Sequence, residues 1–189
     1  MEPQQSNDIS YWNAVTLTGI IFGLIVFVLN IIGGYATIGA EPSGGWVGPS
    51  MFTGLFSCLL AAFGGMVAVR IHLKQNPQPP LQLGRGAMIG LATGIVIAFV
   101  STVLGLIWNI IDPSFSQNLI EASIANIEAM NIPEDQKQEM IDSVAAQMQQ
   151  MYSVGGLVMA FVLSSLLYGI LNMLTGMLGV KFYSPNEEV

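Results

Sequence analysis

The sequence predicts an all-α membrane protein: a four-helix transmembrane bundle with a two-helix acidic extramembrane insert between helices 3 and 4. Three observations predict it. Of the 189 residues, 52% are hydrophobic and only 9% are charged, against roughly 25% charged in an ordinary soluble domain. Four charge-free stretches each reach the ~20 residues that a helix needs to cross a bilayer core of about 30 Å. Between the third and fourth of these, residues 112–152 turn sharply acidic. A soluble enzyme or a disordered tail could not be built from so few charges and a mean hydropathy of +0.62. The net charge of -7 argues against anionic partners and excludes a nucleic-acid binder that works by neutralising phosphates. Cys58 is the single cysteine, which leaves no internal disulfide, thiol-rich zinc site or CxxC redox pair.

The spans follow in order. The first runs from about Ala14 to Ile38, the second from about Met51 to Val69, where Arg70 stops it. The third runs from about Gly86 to Ile111, between Arg85 and Asp112, and the fourth from about Val154 to Val180, before Lys181. Backbone groups find no water in hydrocarbon, so these segments must be helical, and the short alternating strands of a membrane barrel do not occur. The chain, residues 1–189, reads as a single membrane domain. The first span is expected to be retained, because residues 1–13 carry no Lys or Arg and its apolar stretch exceeds the core of a signal peptide.

Orientation follows the basic residues. Arg70, Lys74 and Arg85 lie between spans 2 and 3 and Lys181 follows span 4, so these ends and both termini are expected to be cytoplasmic. Only Lys137 falls on the opposite, periplasmic side, with residues 112–152. Trp12, Trp46 and Trp108 stand near helix ends, where amphipathic rings favour the interface. Gln75-Asn76-Pro77-Gln78-Pro79-Pro80 reads as an extended linker.

The insert holds seven acids, Asp112, Glu121, Glu128, Glu134, Asp135, Glu139 and Asp142, against Lys137 alone. Asp112-Pro113 is a helix start, with Asp as the cap and Pro at the first helical position. Ile120, Ile124 and Ile127, extended by Met130, recur at helical spacing. Asn131-Ile132-Pro133-Glu134-Asp135 reads as a break and a second start with acids in its first turn. Met140, Ile141, Val144, Met148, Met151 and Tyr152 continue an apolar stripe. Two amphipathic helices result, whose stripes either cap the bundle or, with Glu128, Glu134, Glu139, Met140 and Met148, offer a partner surface. The acids show neither EF-hand spacing nor a glycine turn, so no metal is expected.

Within the spans, small residues recur every fourth position: Gly19 and Gly23, then Gly86, Gly90 and Gly94, then Gly156, Ala160 and Ser164. Such stripes let helix backbones approach closely, within one chain or between copies. The last stripe continues through Tyr168, Asn172 and Gly176. None of the four spans contains an acid, a base or histidine, so the groups that normally serve proton relays and ion sites are missing. Asn30, Asn109 and Asn172 remain as polar glue, with Ser101, Thr102, Ser164, Ser165, Thr175 and Tyr168, and Asn30 and Asn109 are placed to bond one another. His72 lacks the second histidine of a zinc site, and Ser164-Ser165 has no nearby base to activate it. Gly64-Gly65 and Gly84-Arg85-Gly86 do not match a phosphate-binding loop. No enzyme activity and no cofactor is expected.

The order of features carries a resemblance. An apolar first span leads to a glycine-rich turn, Gly33-Gly34-Tyr35, and a basic-ended second span. Span 3 opens with Gly84-Arg85-Gly86 and leaves through Asp112-Pro113-Ser114-Phe115 into the acidic insert. This resembles the uncharacterised bacterial membrane family called domain of unknown function 4199, common in Bacteroidota. The resemblance covers most of the chain, and the Asp-Pro exit with the acidic insert is its most specific part. It implies a bacterial inner membrane, four helices and a helical insert, and it transfers no active residues. The expected function is that of a non-catalytic accessory or assembly subunit, in contact with the bilayer and with other membrane subunits or itself. The alternative is a homo-oligomeric channel or carrier for a neutral solute, joined through the Gly86/Gly90/Gly94 face.

Overall fold

The computed structural model describes residues 10–45, 48–76, 81–151 and 154–184. Trp46, Pro77 to Pro80 and Tyr152 lie outside the described residues, as do the side chains of Met148 and Met151. Seven helices occur among the described residues: α1 (Ser10–Ile38), α2 (Pro49–Ala62), α3 (Gly64–Gln75), α4 (Leu83–Ile111), α5 (Ser114–Glu128), α6 (Glu134–Met151) and α7 (Val154–Tyr183). Among the described residues four stretches are long and apolar enough to cross a membrane: α1, α2 with α3, α4 and α7. The protein is an all-α membrane protein, with α5 and α6 inserted between its third and fourth spans. Each span exposes large apolar side chains, among them Ile32, Phe52, Phe99 and Leu163. Water would penalise such surfaces, whereas lipid solvates them.

The chain divides into two compact units. The first comprises residues 1–26, 58–101 and 163–189. Its core is formed by Val15, Ala68, Val69, Ile89 and Val180, with a second cluster of Val26, Ala61 and Ile97. The glycines of α4 explain its tightest packing. A Cβ on Gly90 would run into the backbone carbonyl of Asn172, one on Gly94 into that of Tyr168, and one on Gly86 into Val180 and Gly176. Only hydrogen at these positions lets α4 and α7 meet backbone to backbone, where dispersion replaces the hydrophobic drive that lipid removes. Gly19 and Gly23 of α1 likewise lie against Val96 and Val100 of α4.

The second span departs from the expected single helix over 51–69. It starts at Pro49, breaks at Phe63 and continues as α3 to Gln75. The cause lies on α7. Asn172, fully buried, accepts the Gly65 N–H on its Oδ1 at 2.6 Å, and the Thr175 hydroxyl donates to the Ala62 carbonyl. A polar pair on one helix thus satisfies a donor and an acceptor on either side of the break in another. Gly64 and Gly65 are needed there because a Cβ on Gly64 would lie 2.8 Å from Asn172 Oδ1, and one on Gly65 would collide with the Asn172 carbonyl.

The second unit comprises residues 27–57 and 102–162. Gly33-Gly34-Tyr35, expected as a turn, is helical, because α1 runs on to Ile38. The missing side chains make room instead: a Cβ on Gly33 would strike Thr53, and one on Gly34 the Phe115 ring. The insert forms two helices as expected, separated around Asn131–Pro133, and α5 packs against α6. Ile127 and Met130 are its buried apolar anchors. Pro113 already has helical dihedrals (φ -63°, ψ -22°), so Asp112 stands in the cap position, and its Oδ1 accepts the Ser114 N–H at 3.2 Å.

Candidate functional site

Two polar arrangements lie in the second unit, one at the α4–α5 junction and one on the connection from α1 to α2. At the junction the Asp112 carboxylate accepts the Tyr35 hydroxyl at 2.5 Å on Oδ2 and the Ser114 hydroxyl at 2.6 Å on Oδ1. The Ser114 hydroxyl, followed by that of Tyr35, holds the Asp112 carboxyl below its ordinary range. Tyr35 also meets Phe115 and Trp108, with ring centroids 4.9 and 6.4 Å apart. One acid thereby ties the end of α1 to the start of α5. With every strong partner drawn from the chain itself, this cluster is a brace.

On the connection, Asn126 of α5 uses both ends of its amide. Its Oδ1 accepts the N–H groups of Ser43 and Gly44, each at 3.1 Å, and its Nδ2 donates to the Gly45 carbonyl at 3.0 Å. Gly44 has φ +64°, and a Cβ there would clash with the Ala129 carbonyl. The clamp leaves a cleft of about 260 Å³ between the connection and α5, with Glu41, Ser50 and Met51 on one side and Ala122 and Ile127 on the other.

The sequence-derived residues are placed as follows. Gly19, Gly23, Gly86, Gly90 and Gly94 face neighbouring spans of the same chain. The α4 glycine face is covered by α7, so the copy-to-copy interface expected there for a homo-oligomeric channel is already filled from within the chain. The α7 stripe divides: Asn172 and Gly176 are buried, whereas Gly156 and Ser164 are half-buried and Ala160 is exposed. Asn109 accepts the Ser116 hydroxyl at 2.6 Å in place of the expected Asn30, which is exposed on α1. Glu128, Glu134 and Glu139 are exposed, Met140 is half-buried, and the Met148 side chain lies outside the described residues. Lys137 pairs with Glu134 at 2.9 Å, and Asp142 accepts from Gln138 at 2.9 Å. His72 is buried, with Arg85 as a charged neighbour, and Arg70 lies 5.4 Å from the centre of the Tyr183 ring. Among the described residues no three of His, Cys, Asp and Glu converge as a metal site would require.

Reasoning from the sequence missed Asn126, placed Tyr35 in a turn, and named Thr175 only among the polar groups of the spans. Gly44, in a Gly-Gly pair after Pro42-Ser43, was the one local sign of a shaped connection.

These features define a class: a multi-span α-helical membrane protein with a helical insert between its third and fourth spans. Residues 17–181 match the family described as Protein of unknown function (DUF4199), and the chain belongs to that family. No curated protein and no solved structure matches it.

Proposed function

We propose that this protein is a non-catalytic accessory or assembly subunit of a bacterial inner membrane, with cytoplasmic termini and an acidic insert that docks a partner on the periplasmic side. The observation that carries the reading is the exposure of Glu128 and Glu139 on α5 and α6. Lys137 is the single basic residue of the insert and is paired with Glu134. An uncompensated acidic face steers a basic partner and fixes its register more than it stabilises its owner. Met140, next to Glu139 in the sequence, is half-buried and has an adaptable side chain.

The test combines charge reversal with recovery of the native complex. Glu128→Lys, Glu134→Lys and Glu139→Lys are introduced together, and gentle detergent extracts are analysed by mass spectrometry. The expected result is a complex of fixed stoichiometry from the parent chain, lost in the variant while its helical content and melting are retained. Recovery of a lone homo-oligomer, or of the same partner from both chains, would overturn the proposal.

A further inference from the structure

We infer that the cleft between the α1–α2 connection and α5 binds a small organic ammonium ion, a primary amine with a short aliphatic body. The inference rests on where the hydrogen-bonding groups around the cleft are already directed. Most of the donors of its described residues are in use. The Ser43 and Gly44 N–H groups go to Asn126, and that of Gly45 goes to the Ser43 hydroxyl at 3.3 Å. Pro42 and Pro49 have none. The N-terminus of α2 would ordinarily attract an anion, but its free donors are taken. Ser50 N–H bonds the Thr37 hydroxyl at 3.1 Å, and the N–H groups of Met51 and Phe52 both go to the Gly48 carbonyl. The Thr37 and Ser123 hydroxyls donate to their own helices, at 2.9 and 2.7 Å.

The one ionisable side chain among the described lining residues is the exposed Glu41 carboxylate, with no Lys or Arg beside it. An anion would meet the Glu41 carboxylate and no basic side chain among the described lining residues. An ammonium group supplies three donors and a positive charge. Ile127, 7% exposed, with Met51 and Ala122, offers the apolar wall for a short carbon chain. At about 260 Å³ the cleft lies just under the range of pockets for drug-sized ligands. That size favours a body of a few carbons.

The probe is n-butylammonium, titrated into the full chain in phosphatidylcholine nanodiscs and followed through the ¹³C-methyl resonance of Met51. Saturable shifts are expected for butylammonium, about threefold weaker binding for tetramethylammonium, which has the charge without N–H donors, and none for butyrate or n-butanol. Glu41→Gln, at an exposed position, weakens butylammonium by about fivefold, the scale of one exposed ion pair. Ala122→Leu fills the cleft and removes saturation. Repeating the titration in phosphatidylethanolamine nanodiscs separates the sources of the same chemistry: unchanged affinity assigns the site to a free amine, and competition assigns it to the lipid headgroup. Equal shifts from butyrate or butanol, or full affinity in Glu41→Gln, overturn the inference.

Discussion

Replacing Asn172 by leucine tests the most unusual contact in the first unit. The side chain is fully buried, its Oδ1 accepts the Gly65 N–H at 2.6 Å, and its Nδ2 donates to the Tyr168 carbonyl at 2.8 Å. Tyr168 lies one turn back on the same helix, so its carbonyl keeps a backbone partner and loses little. Gly65 is different. It stands in the first turn of α3, where no carbonyl of its own helix reaches its N–H. Leucine leaves that donor unpaired at a cost of about 1–3 kcal/mol, and its branch presses on Gly64, where even a Cβ would lie 2.8 Å from the present amide oxygen. Interhelical polar contacts in membranes average only about 0.6 kcal/mol, because the separated helices find other partners. A helix-start N–H facing a neighbouring span has few such alternatives in lipid. The expected loss is therefore about 2 kcal/mol, or about 30-fold in the unfolding equilibrium. The assay is reversible unfolding in mixed micelles of rising sodium dodecyl sulfate, followed by circular dichroism. Asn30→Leu serves as the control, since Asn30 is exposed on α1 and should lose nothing. If Asn172→Leu unfolds within about 0.5 kcal/mol of the parent chain, the reasoning about the break is wrong.

Other expectations follow from the same geometry. Gly90→Ala should cost about 1–3 kcal/mol by overpacking against the Asn172 carbonyl. Gly105→Ala on the same helix, where a Cβ meets nothing within 4 Å, should cost nothing; the paired unfolding curves decide this. Asn126→Ala removes three hydrogen bonds to the connection, so hydrogen exchange at the Ser43 and Gly44 amides should accelerate by about 30-fold, which NMR reads directly. The Asp112 carboxyl is lowered from its ordinary 3.8 by the Ser114 and Tyr35 hydroxyls. Its stabilisation is therefore complete above that value and disappears as pH falls through the lower folded value. An acid titration by tryptophan fluorescence should show this loss, and Asp112→Asn should flatten the curve below about pH 4.

Local rules recovered what depends on local rules. Span length and the absence of charge place α1, α4 and α7, and Asp112-Pro113 and Pro133 place both helix starts of the insert. Four-residue spacing puts Gly86, Gly90 and Gly94 on one face. The same spacing joins Gly156 and Ala160 to Asn172 and Gly176, yet only the second pair is buried. Periodicity names a face without saying how far along it a neighbour runs. The break at Phe63 is hidden in an apolar stretch because its cause, Asn172, lies 107 residues beyond Gly65. Tyr35 meets Asp112 across 77 residues and Asn126 meets Ser43 across 83. No window along the chain contains both members of such a pair.

The meeting of α4 with α7 also has a consequence in time. Gly94 is synthesised roughly 80 residues before Asn172 and Tyr168 have all emerged, an interval of about 4–16 s at typical elongation rates. Throughout it the glycine face of α4 and the Gly65 N–H wait in the membrane without their partners, while the charged insert is still being made. The arrival of α7 closes both at once, so a ribosome that stalls between α4 and α7 leaves a chain whose earlier spans are made and whose α4–α7 seam is open.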